Sequence, residues 1–161
     1  VTGIHTRRRL RFESFDDVLD DAERLVASAN TTTLGKWPLD VLLGHLAVGV
    51  DSSIDGIPGK APWLIRVGGR FIKRRVLSHG MSPGFKLPKK LEAVAFPSYG
   101  SPTAAFLKLR RAIERTKAET MQACHPVFGQ LTHDEWRQFH LRHAELHLSF
   151  ALAECTPSPG R

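Results

Sequence analysis

The chain has 161 residues, 42% of them hydrophobic and 24% charged, with a formal net charge of +7. That length suits a single domain, here 1–161, large enough to bury a core without disulfide staples. No apolar run reaches the roughly 20 residues of a membrane-spanning helix, which excludes a transmembrane protein and leaves no membrane partner expected.

The chain begins at Val1 rather than Met, so a targeting segment could have been removed upstream. Cys124 and Cys155 have no close spacing and no nearby cysteine partner. Two such thiols do not make a disulfide scaffold, and a reducing, cytoplasmic compartment is the expectation.

In chain order, Ser14 with Asp17 three residues later makes a capping-box start for a first helix over 14–29. Phe15, Leu19, Ala22 and Val26 recur at helical spacing beside Val18, Leu25 and Ala29, and Thr31-Thr32-Thr33 with Gly35 ends the run. Pro38 suits the first turn of a second helix over 38–55, because its missing N–H would be unpaired there in any case. Leu39, Leu42, Leu43, Leu46, Ala47 and Val50 give that helix a broad apolar face. The stretch 57–100 is punctuated by Gly68-Gly69, Pro83-Gly84, Pro88 and Pro97 and has weak periodicity. It reads as a long basic crossover, with Trp63, Val67, Phe71 and Val76 marking one amphipathic helix inside it. Ser101-Pro102 opens a third long helix over 102–122, with Phe106, Leu109, Ile113, Thr116 and Thr120 as its inward stripe. Thr132 and Glu135 form a capping box for a last helix over 132–153, and Asp134 adds favourable charge at its N-terminus. Four long helices, no convincing strand pair and no internal repeat predict an all-α four-helix bundle with a basic crossover between helices two and three.

The positive charge is clustered. One group is Arg7, Arg8, Arg9 and Arg11; the other runs from Lys60 through Arg66, Arg70, Lys73, Arg74 and Arg75 to Lys90. Such patches attract nucleic acid, anionic lipid or an anionic small molecule, against the ordinary reading of a solvated basic face. With a single Tyr and no aromatic motif of the RNA-recognition kind, nucleic acid is the weaker expectation.

Chemistry concentrates in the histidines. On the last helix Trp136, Phe139, His143, Leu146, His147 and Phe150 fall on one face at about 100° per residue. His143 and His147 are one turn apart, so their imidazoles project side by side. Two adjacent core imidazoles are either a hydrogen-bonded pair or ligands of a divalent cation, which uses the lone pair of the neutral ring. His45, in the apolar run Leu42-Leu43-Gly44-His45-Leu46-Ala47, can face them across an antiparallel bundle. Three histidines would leave coordination positions open, as catalytic sites do. His140, Trp136 and Phe139 are candidates for the site wall. His125 reads as a loop anchor, and His5, His79 and His133 carry no evident role. Glu145 lies between the histidines in sequence but on another face, leaving no evident general base and the catalytic residues unassigned.

Trp37-Pro38-Leu39 leading into Gly44-His45-Leu46-Ala47, followed by His143-x-x-x-His147, resembles the DinB-like metalloprotein superfamily. Arg8-Arg9-Leu10-Arg11-Phe12, Asp55-Gly56, Gly84-Phe85-Lys86 and His125-Pro126-Val127-Phe128-Gly129 look like one bacterial branch of it described only as a domain of unknown function. The likeness covers nearly the whole chain. It implies a DinB-like four-helix bundle with one divalent metal ion on His45, His143 and His147; three imidazoles suit zinc or nickel, with iron or copper behind them. Some members of that superfamily are S-transferases or isomerases using bacillithiol or mycothiol. Others have no known activity, so the resemblance implies a metal site more firmly than any one reaction. The leading reading is a metal-dependent enzyme, a thiol S-transferase or related hydrolase, with a non-catalytic metal- or ligand-binding module as the alternative. Arg66, Arg70, Lys73 and Arg74 would then hold an anionic small-molecule substrate such as a thiol; a homodimer stays open.

Overall fold

The computed structural model describes residues 6–56, 63–84 and 89–153. Its elements, in order, are α1 (Phe15–Ala27), β1 (Thr31–Thr33), α2 (Leu39–Asp55), α3 (Trp63–His79), α4 (Lys89–Ala95), α5 (Pro102–Ala118), β2 (Cys124–His125), β3 (Gly129–Gln130), α6 (His133–Leu148) and β4 (Ala151–Ala153). Helix dominates, and the strands among the described residues are two or three residues long.

The four long helices expected from sequence are α1, α2, α5 and α6, and they share one core. Val18, Ala22 and Leu25 meet Leu43, Leu46 and Val50, with Leu109 and Ile113 from α5 and Leu141, Ala144 and Leu148 from α6. Helix α2 is central: Leu39, Leu42, Leu43, Leu46, Ala47 and Val50 are all buried, which is why its apolar residues spread round the cylinder instead of forming a narrow stripe. A second, smaller cluster of Met121, Phe128, Leu131 and Trp136 sits beneath the β2–β3 turn. Capping follows the side chains. Ser14 and Asp17 form one reciprocal box and Thr132 and Glu135 another, while Ser101 accepts the N–H of Ala104 just ahead of Pro102.

Several expectations need correction. The last helix stops at Leu148 rather than Ala153, because the chain turns at Ser149 and becomes β4. β4 pairs antiparallel with β1, Thr33 opposite Ala151, and Leu34 donates to the Phe150 carbonyl at 2.8 Å. The threonines after α1 are thus a paired strand and not simply a helix stop. Three-residue partners carry no alternation to betray them. A second ladder joins Cys124 to Gln130 and His125 to Gly129, whose φ of 75° suits a residue without Cβ at this turn. α5 ends at Ala118, so Thr120 is exposed beyond it instead of lying on an inward stripe; Ala29 likewise falls outside α1. The crossover contains the amphipathic helix expected in it, as α3, and a second helix, α4, that was not expected. Cys155, His5, Lys60, Phe85 and Lys86 lie outside the described residues.

The N-terminal arginines divide their roles. Arg8 grips Asp21 through both carboxylate oxygens at 2.8 and 2.7 Å and donates to the Leu148 carbonyl at 2.9 Å, tying the leading segment to α1 and the end of α6. Arg7 donates to Ser149 Oγ at 3.1 Å, while Arg9 and Arg11 are exposed. No helix among the described residues is long and apolar enough to cross a membrane.

Candidate metal centre

Helix α2 carries His45 at its middle, one residue after Gly44, and the glycine decides how closely the crossover approaches. A Cβ at position 44 would stand 2.7 Å from the Pro97 carbonyl oxygen and 2.9 Å from Tyr99 Cε2. The segment after α4 can therefore lie directly against α2. From there Ala95 places its carbonyl 2.7 Å from His45 Nδ1. A carbonyl only accepts, so Nδ1 holds the proton and Nε2 presents its lone pair. Phe96 stacks on the His45 ring at 3.9 Å between centroids, and Trp37 stacks on Phe96 at 4.6 Å.

Helix α6 supplies the other two rings. His45 Nε2 lies 3.0 Å from His143 Nε2. Ring centroids are 4.5 Å apart for His45 and His147 and 4.6 Å for His143 and His147. One nitrogen from each of the three residues falls within 4.8 Å of the others. Metal–nitrogen bonds of about 2.1 Å hold any two donors within about 4.2 Å of each other, a spacing close to the one these three rings present. The donor chemistry fits. Burial pushes His45 below its ordinary pKa, and burial with neighbouring imidazoles holds His143 well below and takes His147 to about 3. All three rings are neutral at pH 7, the state in which imidazole offers a lone pair. The bond from His45 to Ala95 is the kind of outer contact that orients a metal-ligating histidine. His143 differs, since its Nδ1 is shut from solvent with no hydrogen-bond partner among the described residues.

The deepest face of α6 is Trp136, His140, Leu141, Ala144 and Leu148, not the stripe expected from sequence. His143 and His147 flank it, where they meet α2 and the crossover. Phe139 lies against His143 at 5.5 Å, while Trp136 stacks on His140 at 5.3 Å. His140 stands outside the group of three, and burial lowers its pKa to about 3. His125 accepts the N–H groups of Val127 and Phe128, the anchoring role expected for it, and His133 accepts from Met121. Glu145 accepts the Phe12 N–H and pairs with Arg142 at 3.1 Å, so it is occupied away from the histidines.

The four basic candidates lie elsewhere on the surface. Arg66 and Arg70 line a cleft of about 170 Å³ with Trp63, Val67 and Gly129, and no histidine of the cluster borders it. Lys73 pairs with Glu135, and Arg74 is exposed. What sequence reasoning missed is the backing of His45. Trp37 and Gly44 stood within quoted motifs, but Ala95 and Phe96 sit in the weakly periodic crossover and gave no signal.

A family model matches residues 4–154. The chain belongs to the family described as a protein of unknown function, DUF1569. No curated protein and no solved structure matches it.

Proposed function

We propose that this protein binds one divalent metal ion through His45, His143 and His147 and uses it as a metal-dependent enzyme. The observation that carries this reading is the approach of three neutral imidazole nitrogens, from two helices, to within 4.8 Å of one another. The DinB-like resemblance adds the finer reading, transfer chemistry with a low-molecular-weight thiol, and the three imidazole donors make zinc or nickel the first candidates. A cation held there would supply Lewis acidity, lowering the pKa of a thiol or a water. The chain's own residues do the positioning. Ala95 fixes the tautomer of His45, Phe96 and Trp37 hold its ring plane, and burial keeps all three donors unprotonated. With Glu145 engaged by Phe12 and Arg142, no carboxylate base is assigned.

The alternative, a non-catalytic metal or ligand carrier, is favoured by one feature: Phe96 covers one face of His45 and Phe139 packs against His143, which restricts approach to the donors. Elemental analysis of untagged protein beside His45→Ala and His147→Ala tests the metal. We expect about one equivalent per chain in the parent and a large loss in both variants. Equal metal content in all three would end the proposal. Incubating the metal-loaded protein with a thiol and an electrophilic acceptor then separates the two readings: consumption of thiol marks the enzyme, and recovery of unchanged thiol marks the carrier.

A further inference from the structure

Four of the six large apolar side chains that are exposed among the described residues lie on α3: Trp63 (69%), Val67 (47%), Phe71 (83%) and Ile72 (49%). Trp63, Val67 and Phe71 follow one another at i, i+4 and i+8, so they form a continuous ridge along the outside of the helix. Arg66, Arg70 and Arg74 form the neighbouring ridge, and Arg75 borders the apolar one at its far end. None of these four arginines makes an ion pair among the described residues, and α3 contains no acidic residue. The opposite side of the helix is fixed. At Gly69 a Cβ would meet the Val127 carbonyl oxygen at 2.5 Å, Lys73 is paired with Glu135, and Leu77 is buried. With that side engaged, the ridge faces away from the core.

We infer that α3 docks the protein flat on an anionic lipid bilayer. A 17-residue helix is roughly 25 Å long and presents aromatic and aliphatic side chains flanked by arginines, the composition of a helix lying in the interface plane. The charge is complementary to an acidic leaflet, where each cation near the surface contributes roughly fivefold in affinity. Arginine stems can lie along the apolar ridge while their guanidinium groups reach headgroup phosphates. Single-stranded nucleic acid fits less well, because Val67 and Ile72 offer no ring on which a base can stack. The earlier expectation of no membrane partner came from the lack of a spanning run, which does not bear on a helix that lies on a surface.

Flotation of the full chain with vesicles tests this. Vesicles of phosphatidylcholine with about 30 mol% phosphatidylserine should carry the protein upward, and pure phosphatidylcholine vesicles should not. Phe71→Ser with Trp63→Ser, and separately Arg70→Glu with Arg74→Glu, should each reduce binding more than about tenfold. All four residues are exposed, and circular dichroism verifies that the variants fold. Should one fail to fold, the contrast between the two vesicle compositions still decides. Equal binding to both vesicle types, no binding to the acidic vesicles, or retention by both folded variants would overturn the inference. So would binding to an oligothymidine with no affinity for either vesicle.

Discussion

Gly44 shows how one residue can set the geometry of a site it does not join. Gly44→Ala would drive a methyl group into the Pro97 backbone and the Tyr99 ring, displacing the segment whose Ala95 carbonyl holds His45. The expected cost is about 1–3 kcal/mol, read as a lower midpoint in thermal denaturation, together with weaker metal retention. An unchanged midpoint would mean that the segment yields freely. Buried histidines govern the pH response. Burial lowers His125 to about 4 and His140 to about 3, against an ordinary value of 6.5. Between pH 6.5 and 4 the unfolded chain therefore binds protons that the folded chain refuses, so stability is present above 6.5 and falls as the solution is acidified. Each such histidine contributes at most about 1.4 kcal/mol per pH unit over that window. His140→Phe, which keeps a ring against Trp136, should flatten the dependence in urea titrations at pH 6.5 and 5. An unaltered slope would show that His140 is protonated in the folded state. Of the residues proposed as donors, His45 was legible as a polar ring in an apolar run, and His143 and His147 by their one-turn spacing on a helix face. Ala95 was not, since it acts through a backbone carbonyl that any residue could supply.

Among the elements, α6 depends on its start. Thr132→Ala removes the acceptor for the Glu135 N–H and should cost about 1 kcal/mol, measured by chemical denaturation. A loss well below that would mean Glu135 alone holds the turn through its bond to the Thr132 N–H. Of the four long helices, α1, α5 and α6 were legible because caps and apolar spacing agree in each, and α2, which has no side-chain cap, because Pro38 leads into a dense apolar run. α3 was only partly so. It meets the rest of the protein partly through Gly69 against the Val127 carbonyl, a backbone approach that leaves no apolar stripe in the sequence. Its conspicuous Trp63, Val67 and Phe71 spacing marks the outward face, so periodicity found the helix without telling which side it buries. The strands β1 and β4 were invisible for a different reason, being paired by main-chain hydrogen bonds between segments far apart in the chain.

In the molecule as a whole, the proposed donors bring distant parts of the sequence to one point. His45 and His143 are separated by 98 positions, yet their rings stand 4.8 Å apart between α2 and α6. An ion shared by them would act as a clasp closing a loop that contains most of the chain, and the two helices could not part until it opened. The effect belongs to rate as much as to equilibrium. Metal-loaded protein should survive trypsin with a longer half-life than protein stripped by a chelator, although α3 offers the protease exposed arginines in both forms. Cleavage confined to α3 in the loaded form, spreading to α5 and α6 only after stripping, is the digestion pattern such a clasp would leave.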